Sequence, residues 1–167
     1  YNRSGNALVE IVTEPDLTSP DEARDFMKQL ITVLSYLEIF DINEGIIKAD
    51  ANISVKESGY TRVEIKNITG FREIERALMH EVNRQQNEIK NNKQIHQETR
   101  AWDSEKGITF SLRKKEAEED YGYIIDTDLA AIEVTDKWID GIKKHMPELA
   151  QDKVKKFVET YKIKKED

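Results

Sequence analysis

The sequence predicts an α+β fold in which duplicated α-β-β units form an antiparallel sheet with helices on one face. Three observations carry this expectation. Two stretches with apolar residues at three- and four-residue intervals begin near Pro20 and Phe71. Each is followed by two segments that alternate apolar and polar residues around a short Gly-containing turn. The order helix, strand, strand therefore occurs twice, and repetition of that kind favours one sheet with its helices stacked together.

The first alternating segment, ALVEIVTE at 7–14, sets Leu8, Glu10, Val12 and Glu14 against Val9, Ile11 and Thr13 and reads as a strand. Its two carboxylates, on one side, suit either a divalent ion or water. Ser19, Pro20 and Glu22 then mark a helix start, with Ser19 as cap and Glu22 closing a capping box. The helix should run to about Leu37, with Ala23, Phe26, Leu30, Val33, Leu34 and Leu37 as its inner stripe.

Between Gly45 and Asn67, GIIKADANISVKESGYTRVEIKN predicts a hairpin. A three-residue loop at Glu57, Ser58 and Gly59, with Gly59 supplying a positive φ, opposes Ser54 to Arg62, Asn52 to Glu64, Asp50 to Lys66, Ile53 to Val63 and Ala51 to Ile65. Polar then meets polar across the pair. A two-residue loop would oppose Asn52 to Ile65 and turn one strand over. Lys48, Asp50, Asn52 and Ser54 share one side and Ile47, Ala49, Ala51, Ile53 and Val55 the other. A solvated face would show the same alternation, and an Asp50–Lys66 pair there would contribute only about 0.2 to 1 kcal/mol. Composition favours a site: Asp, Asn and Ala are poor strand formers, and ADAN sits in a strand centre where an unconstrained face would carry Thr or Tyr.

A second helix is expected from about Phe71 to Lys90, capped by Thr69 or Asn67, with Ile74, Leu78, Val82 and Ile89 inward. IHQETRAW, SEKG and ITFSLRK read as a second hairpin, with Glu98, Arg100 and Trp102 on one parity and Phe110 and Leu112 supplying the apolar side. From Thr135 two helices broken at Pro147 carry Trp138, Ile142 and Met146, then Val154, Phe157, Val158 and Tyr161, as inner residues. Two short helices bury little alone, so this stretch reads as the start of a helical domain, giving a division at 1–133 and 134–167.

Composition narrows the function. With 167 residues, 38% hydrophobic and 35% charged, the chain can form one moderate core. The absence of cysteine excludes disulfides, thiolate metal sites and cysteine nucleophiles and suits a reducing compartment. His80, His96 and His145 stand too far apart for local metal spacing. A net charge of −7 argues against a broad nucleic-acid surface. No apolar run approaches membrane-spanning length. Tyr1 opens the chain without an initiator Met or a recognisable signal, as expected of an excised portion.

YNRSG, LVEIVTEPD, EGIIKADANIS, RVEIKN, QETRAWD and SLRKKE, in this order and followed by DKWIDGIKKHMPEL, resemble the GatB family of the tRNA-dependent amidotransferases. The serial order carries the resemblance more than any one motif. It implies part of a cradle domain similar to the glutamine synthetase fold over 1–133, then the first helices of a tRNA-contacting helical domain over 134–167, within a longer cytoplasmic or organellar protein. It implies partnership with GatA and GatC, and conversion of Glu-tRNA(Gln), Asp-tRNA(Asn) or both to the amide by a glutamine-hydrolysing carbon–nitrogen ligase. In that chemistry ATP and Mg²⁺ activate the side-chain carboxylate, and ammonia from glutamine displaces phosphate.

Phosphoryl transfer to a carboxylate gathers negative charge, which calls for hard oxygen ligands and for Lys or Arg. By resemblance Asp50 is the metal-site aspartate, and Lys48, where many members carry Arg, contacts phosphate. Parity makes Glu10, Asn52, Glu64 and Lys66 candidates for the same face, and Arg100 of the QETR motif is a candidate contact for ATP or the tRNA end. The competing expectation is a scaffold or tRNA-binding module whose polar face is only solvated. The chain departs from the family where members read DYRYFPEPDLP and it has DYGYIIDTDLA, with Gly122 in place of Arg. Ala7 and Ile46 also replace the usual Pro and Ser.

Overall fold

The computed structural model describes residues 9–41, 45–114 and 127–164, with the side chains of 113 and 114 excepted. Most of the divergent 120–130 segment lies outside them. In chain order the elements are α1 (Pro20–Tyr36), β1 (Lys48–Ile53), β2 (Val63–Thr69), α2 (Phe71–Lys90), β3 (Glu98–Asp103), β4 (Ile108–Lys114), α3 (Asp136–His145) and α4 (Ala150–Tyr161). The α-β-β order thus occurs twice.

Helix α1 starts as its sequence dictates. Ser19 Oγ accepts from the Glu22 backbone N–H at 3.3 Å, and Pro20 occupies the first turn, where no N–H is needed. Glu22 reaches back one residue beyond the expected cap, accepting from the backbone N–H of Thr18 at 2.7 Å and its hydroxyl at 2.9 Å. These two bonds hold its carboxyl below the usual range. The inner stripe is led by Ala23 and Met27, with Phe26 and Leu30 packed beside them.

The four strands lie in the order β1-β2-β3-β4. The sheet is mixed, not antiparallel: β1–β2 and β3–β4 are antiparallel, but β2–β3 is parallel. The reason is the repeat itself. β2 runs into α2, which carries the chain back across the sheet, so β3 sets out in the same direction as β2. The hairpin register is the expected one at Ala51–Ile65, Asn52–Glu64 and Ile53–Val63. Its connection is longer than three residues, because a 3₁₀ turn at Lys56–Ser58 and left-handed Gly59 (φ 69°) and Tyr60 (φ 60°) end the ladder early.

Beyond Ala51 the register shifts to Ala49–Ile68 and Lys48–Thr69, so Lys66 and Asn67 together oppose Asp50. This is a β-bulge, with Asn67 at φ 67°. It lets Ile65 and Ile68, three apart on one strand, both bury completely on the helix side. They meet Ala51 and Trp102 from the sheet, Ala23 and Met27 from α1, and Ile74, Ala77 and Leu78 from α2. Truncating either isoleucine to Ala should cost about 2 to 5 kcal/mol.

Three further expectations are corrected. Residues 9–14 form no strand: they pair with no described strand, and Val9 and Val12 are more than 80% exposed. Glu10 therefore stands off the sheet. On α2 the buried stripe is Ile74, Ala77, Leu78, Glu81 and Gln85, while Val82 and Ile89 are only partly covered, so the inner face turns polar in its second half. On β4 the apolar residues face away from the helices: Ile108, Phe110 and Leu112 are 41%, 44% and 53% exposed, whereas Thr109 is buried against α2.

The terminal helices form on either side of Pro147, and Thr135 Oγ1 caps α3 by accepting from the Trp138 N–H at 3.3 Å. Their expected inner residues, among them Trp138, Ile142 and Phe157, remain about half exposed. Tyr36 ties this pair to α1, donating to the Glu148 carbonyl at 3.0 Å beneath the Lys153 ammonium.

Candidate functional site

With α1 and α2 on one side, the other side of the sheet presents Lys48, Asp50 and Asn52 from β1, Glu64 and Lys66 from β2, and Thr99 from β3. Strand alternation fixes their common direction, and the pairs Asn52–Glu64 and Glu64–Thr99 align them across strands. The bulge at Lys66–Asn67 brings Lys66 against Asp50. Lys66 Nζ lies 2.6 Å from Asp50 Oδ2 and 3.2 Å from Glu64 Oε1, so one ammonium sits between two carboxylates.

The two carboxylates differ in setting. Asp50 is about half exposed, whereas Glu64 is nearly covered and accepts from the Thr99 hydroxyl at 2.9 Å. Partial burial alone would lower the Lys66 pKa, but the hydrogen bonds to Asp50 and Glu64 outweigh it and raise it above the usual lysine range. The ammonium is firmly charged, and two of its three N–H donors are accounted for. The third can meet an anionic oxygen arriving from the open side. As an exposed pair, Asp50–Lys66 contributes only about 0 to 1 kcal/mol to stability. Its arrangement is therefore better explained by what it can hold than by what it stabilises.

Lys48 is exposed on the same face, beyond the bulge and opposite Thr69, and Asn52 is exposed opposite Glu64. Glu10 is exposed and off the sheet. Arg100 is on the helix side. Its Nε donates to Thr109 Oγ1 at 2.9 Å, its Nη2 to the Thr109 carbonyl at 2.9 Å and its Nη1 to Glu98 at 2.8 Å. Fully buried Glu81 accepts from Thr109 Oγ1 at 2.9 Å and from Gln85 at 3.0 Å, and pairs with Arg84. This cluster joins α2 to β3 and β4 and gives Arg100 a structural engagement.

Sequence reasoning missed Thr99 and Phe110 on the open face. The signal was available for Thr99, because Glu98, Arg100 and Trp102 on one parity leave it on the other. Among the described residues no group of three or more His, Cys, Asp or Glu is gathered to hold a metal ion. A broad cleft of about 940 Å³ lies elsewhere, between the end of α1 and α3, lined by Leu37, Ile39, Trp138, Ile142 and Met146. It carries little polar chemistry, so the sheet face is the stronger candidate. No helix among the described residues is long and apolar enough to cross a membrane.

Comparison with known proteins places the chain in a family. A family model described as the GatB/GatE catalytic domain matches residues 1–140. The GatB-type subunit of the aspartyl/glutamyl-tRNA(Asn/Gln) amidotransferase of Thermodesulfovibrio yellowstonii is 45% identical over 173 aligned positions, covering 100% of this chain and 36% of that protein. The protein of the same name from Methanosarcina acetivorans is 48% identical over 164, covering 98% and 32%. That from Clostridium tetani is 42% identical over 173, covering 100% and 36%. The chain thus spans about a third of the length of these relatives. On the match to the family model and the identity across the whole chain, it belongs to the GatB/GatE catalytic-domain family.

Proposed function

We propose that the open sheet face serves ATP-dependent activation of a carboxylate in a tRNA-dependent amidotransferase. The γ-phosphoryl group of ATP passes to a side-chain carboxylate oxygen of Glu-tRNA(Gln), Asp-tRNA(Asn) or both, and ADP leaves. Ammonia released by a partner glutaminase then attacks the activated carbonyl, phosphate departs, and the amide remains. The observation that carries this reading is the Lys66 ammonium held between Asp50 and Glu64 on an exposed face. The names of the relatives supply the reaction class.

The donor set fits Mg²⁺ in its chemistry. Mg²⁺ takes one or two carboxylates from a protein and completes its shell with water and phosphate oxygens, and Asp50, about half exposed, offers hard oxygens on the open side, with the nearly covered Glu64 behind it on Lys66 and Thr99. When bound, the ion would neutralise phosphate charge and orient the nucleotide. Lys66 and Lys48 contact phosphate oxygens as point charges, Lys48 without the bidentate fork of an Arg. Asn52 supplies an amide for a polar ligand atom, and Thr99 fixes the Glu64 carboxylate. Glu10 and Arg100, off this face, carry no step in it.

Residues 1–133 then belong to a cradle of the glutamine synthetase type and 134–167 to a helical domain, with GatA and GatC as partners and a cytoplasmic or organellar setting. The test is Asp50→Asn in the full-length protein assembled with its partners. ATP-dependent phosphorylation of the charged tRNA should fall at least about 100-fold, as for loss of a group that acts on the transferring phosphate. Phosphorylation at the wild-type rate and Mg²⁺ requirement would remove Asp50 from the chemistry.

A further inference from the structure

We propose that Phe110 is the stacking platform for the base of an adenosine phosphate whose phosphates lie at Lys66. This rests on the reading of the open face given above and adds the subsite for the base. Asp50, Lys66, Ala101 and Phe110 form one row across the four strands, because Lys66 pairs with Ala101 and Ala101 with Phe110, while Asp50 reaches Lys66 through their ion pair. Paired residues on neighbouring strands point to the same side, so the Phe110 ring stands on the same face as the charged cluster.

The row has an amphipathic order suited to a nucleotide. Charge is at one end and an aromatic ring, 44% exposed, at the other. Between them Ala101 contributes only a methyl group, which is nearly covered. Two strand spacings separate Lys66 from Phe110, roughly 10 Å, comparable with the reach from a purine ring across ribose to its phosphates. Ile108 and Leu112, also on the exposed strip of β4, flank Phe110 and extend the apolar shelf along the strand. Apolar exposure on an otherwise polar sheet face, on the outermost strand at that end among the described residues, suits an occupant that is apolar at one end and anionic at the other.

Two sources supply that chemistry: free ATP and the terminal adenosine of a charged tRNA. Base stacking on an aromatic side chain corresponds to roughly 5- to 150-fold in affinity. The experiment uses the full-length protein in its complex, with Phe110→Ala, Phe110→Leu and Phe110→Trp. KM for ATP and KM for aminoacyl-tRNA are measured separately, with thermal stability recorded alongside. A rise in KM for ATP in the Ala and Leu variants, with Trp near wild type and tRNA unaffected, is expected for free nucleotide. The same pattern in KM for tRNA assigns the terminal adenosine. If both KM values are unchanged, or Leu restores what Ala loses, or the losses follow the melting temperature alone, the platform is wrong. Those outcomes leave the activation chemistry standing wherever Asp50→Asn still abolishes phosphorylation, so the two proposals fail separately.

Discussion

Arg100 grips Thr109 twice, with Nε on the side-chain oxygen and Nη2 on the backbone carbonyl, both at 2.9 Å. The Thr109 N–H meanwhile donates to His80 Nδ1 at 3.3 Å, so this residue of β4 is held through its N–H, its hydroxyl and its carbonyl by groups on the helix side. Replacing Arg100 with Met should leave buried Glu81 and partly buried Glu98 with Arg84 as their remaining cation and lower stability by about 3 kcal/mol. Urea unfolding checks it. Arg100→Lys should recover only part of the loss, because one ammonium cannot reproduce the fork.

His80 should make stability depend on mild acid. Burial lowers its pKa below 6.5; the Glu81 charge raises it, and the Arg100 and Arg84 charges reinforce the lowering. The unfolded chain then takes up the proton more readily than the folded one. The stabilisation is therefore complete above about pH 6.5 and is lost as pH falls through the lower folded value. Unfolding titrations across that window should show a slope that His80→Gln reduces, and an unchanged slope would remove His80 as its source.

The bulge residue gives a backbone test. Asn67 sits at φ 67°, where a β-carbon is unfavourable and Asn is among the better tolerated side chains. Asn67→Gly should be close to neutral. Asn67→Val should lower stability by more than about 1 kcal/mol, visible as a several-degree drop in Tm, because a branched side chain resists the left-handed region.

Lys66 makes the opposite prediction at high pH. Burial opposes its charge, but the bonds to Asp50 and Glu64 win and its folded pKa lies above 10.5. Its contribution is fully present below about pH 10.5 and disappears as pH rises through the folded value. The difference in stability between wild type and Lys66→Met should therefore shrink with increasing alkalinity, as measured by unfolding at several pH values. A difference that stays constant would mean that the ammonium is not the stabilising group.

Much of this was legible in local pattern. Ser19 and Pro20 announced α1, and Gly59 with the parity of 47–55 set the register that joins Asn52 to Glu64. What parity does not give is direction: Ile108, Phe110 and Leu112 visibly share a side, yet only α2 packing on Thr109 decides that the side is the open one. The bulge left a trace in the three-residue gap between Ile65 and Ile68, which strict alternation forbids. Glu81 left a trace only in its i,i+3 spacing to Arg84 on α2, since Arg100 and Thr109 reach it from β3 and β4. The strand expected at 7–14 had the right alternation, but a strand exists only through a neighbour, and 9–14 has none among the described residues.

Strand order also sets which half of the charged cluster can move. β2, like β3, is hydrogen-bonded along both edges, so Glu64 and Lys66 ride on an inner strand of the sheet and their amides should be among the slowest to exchange with solvent deuterium. Asp50 rides on β1, an outer strand among the described residues, at the point where the bulge interrupts the ladder. Local breathing of β1 would swing the carboxylate away and leave the ammonium in place, which makes the acid, not the base, the adjustable partner.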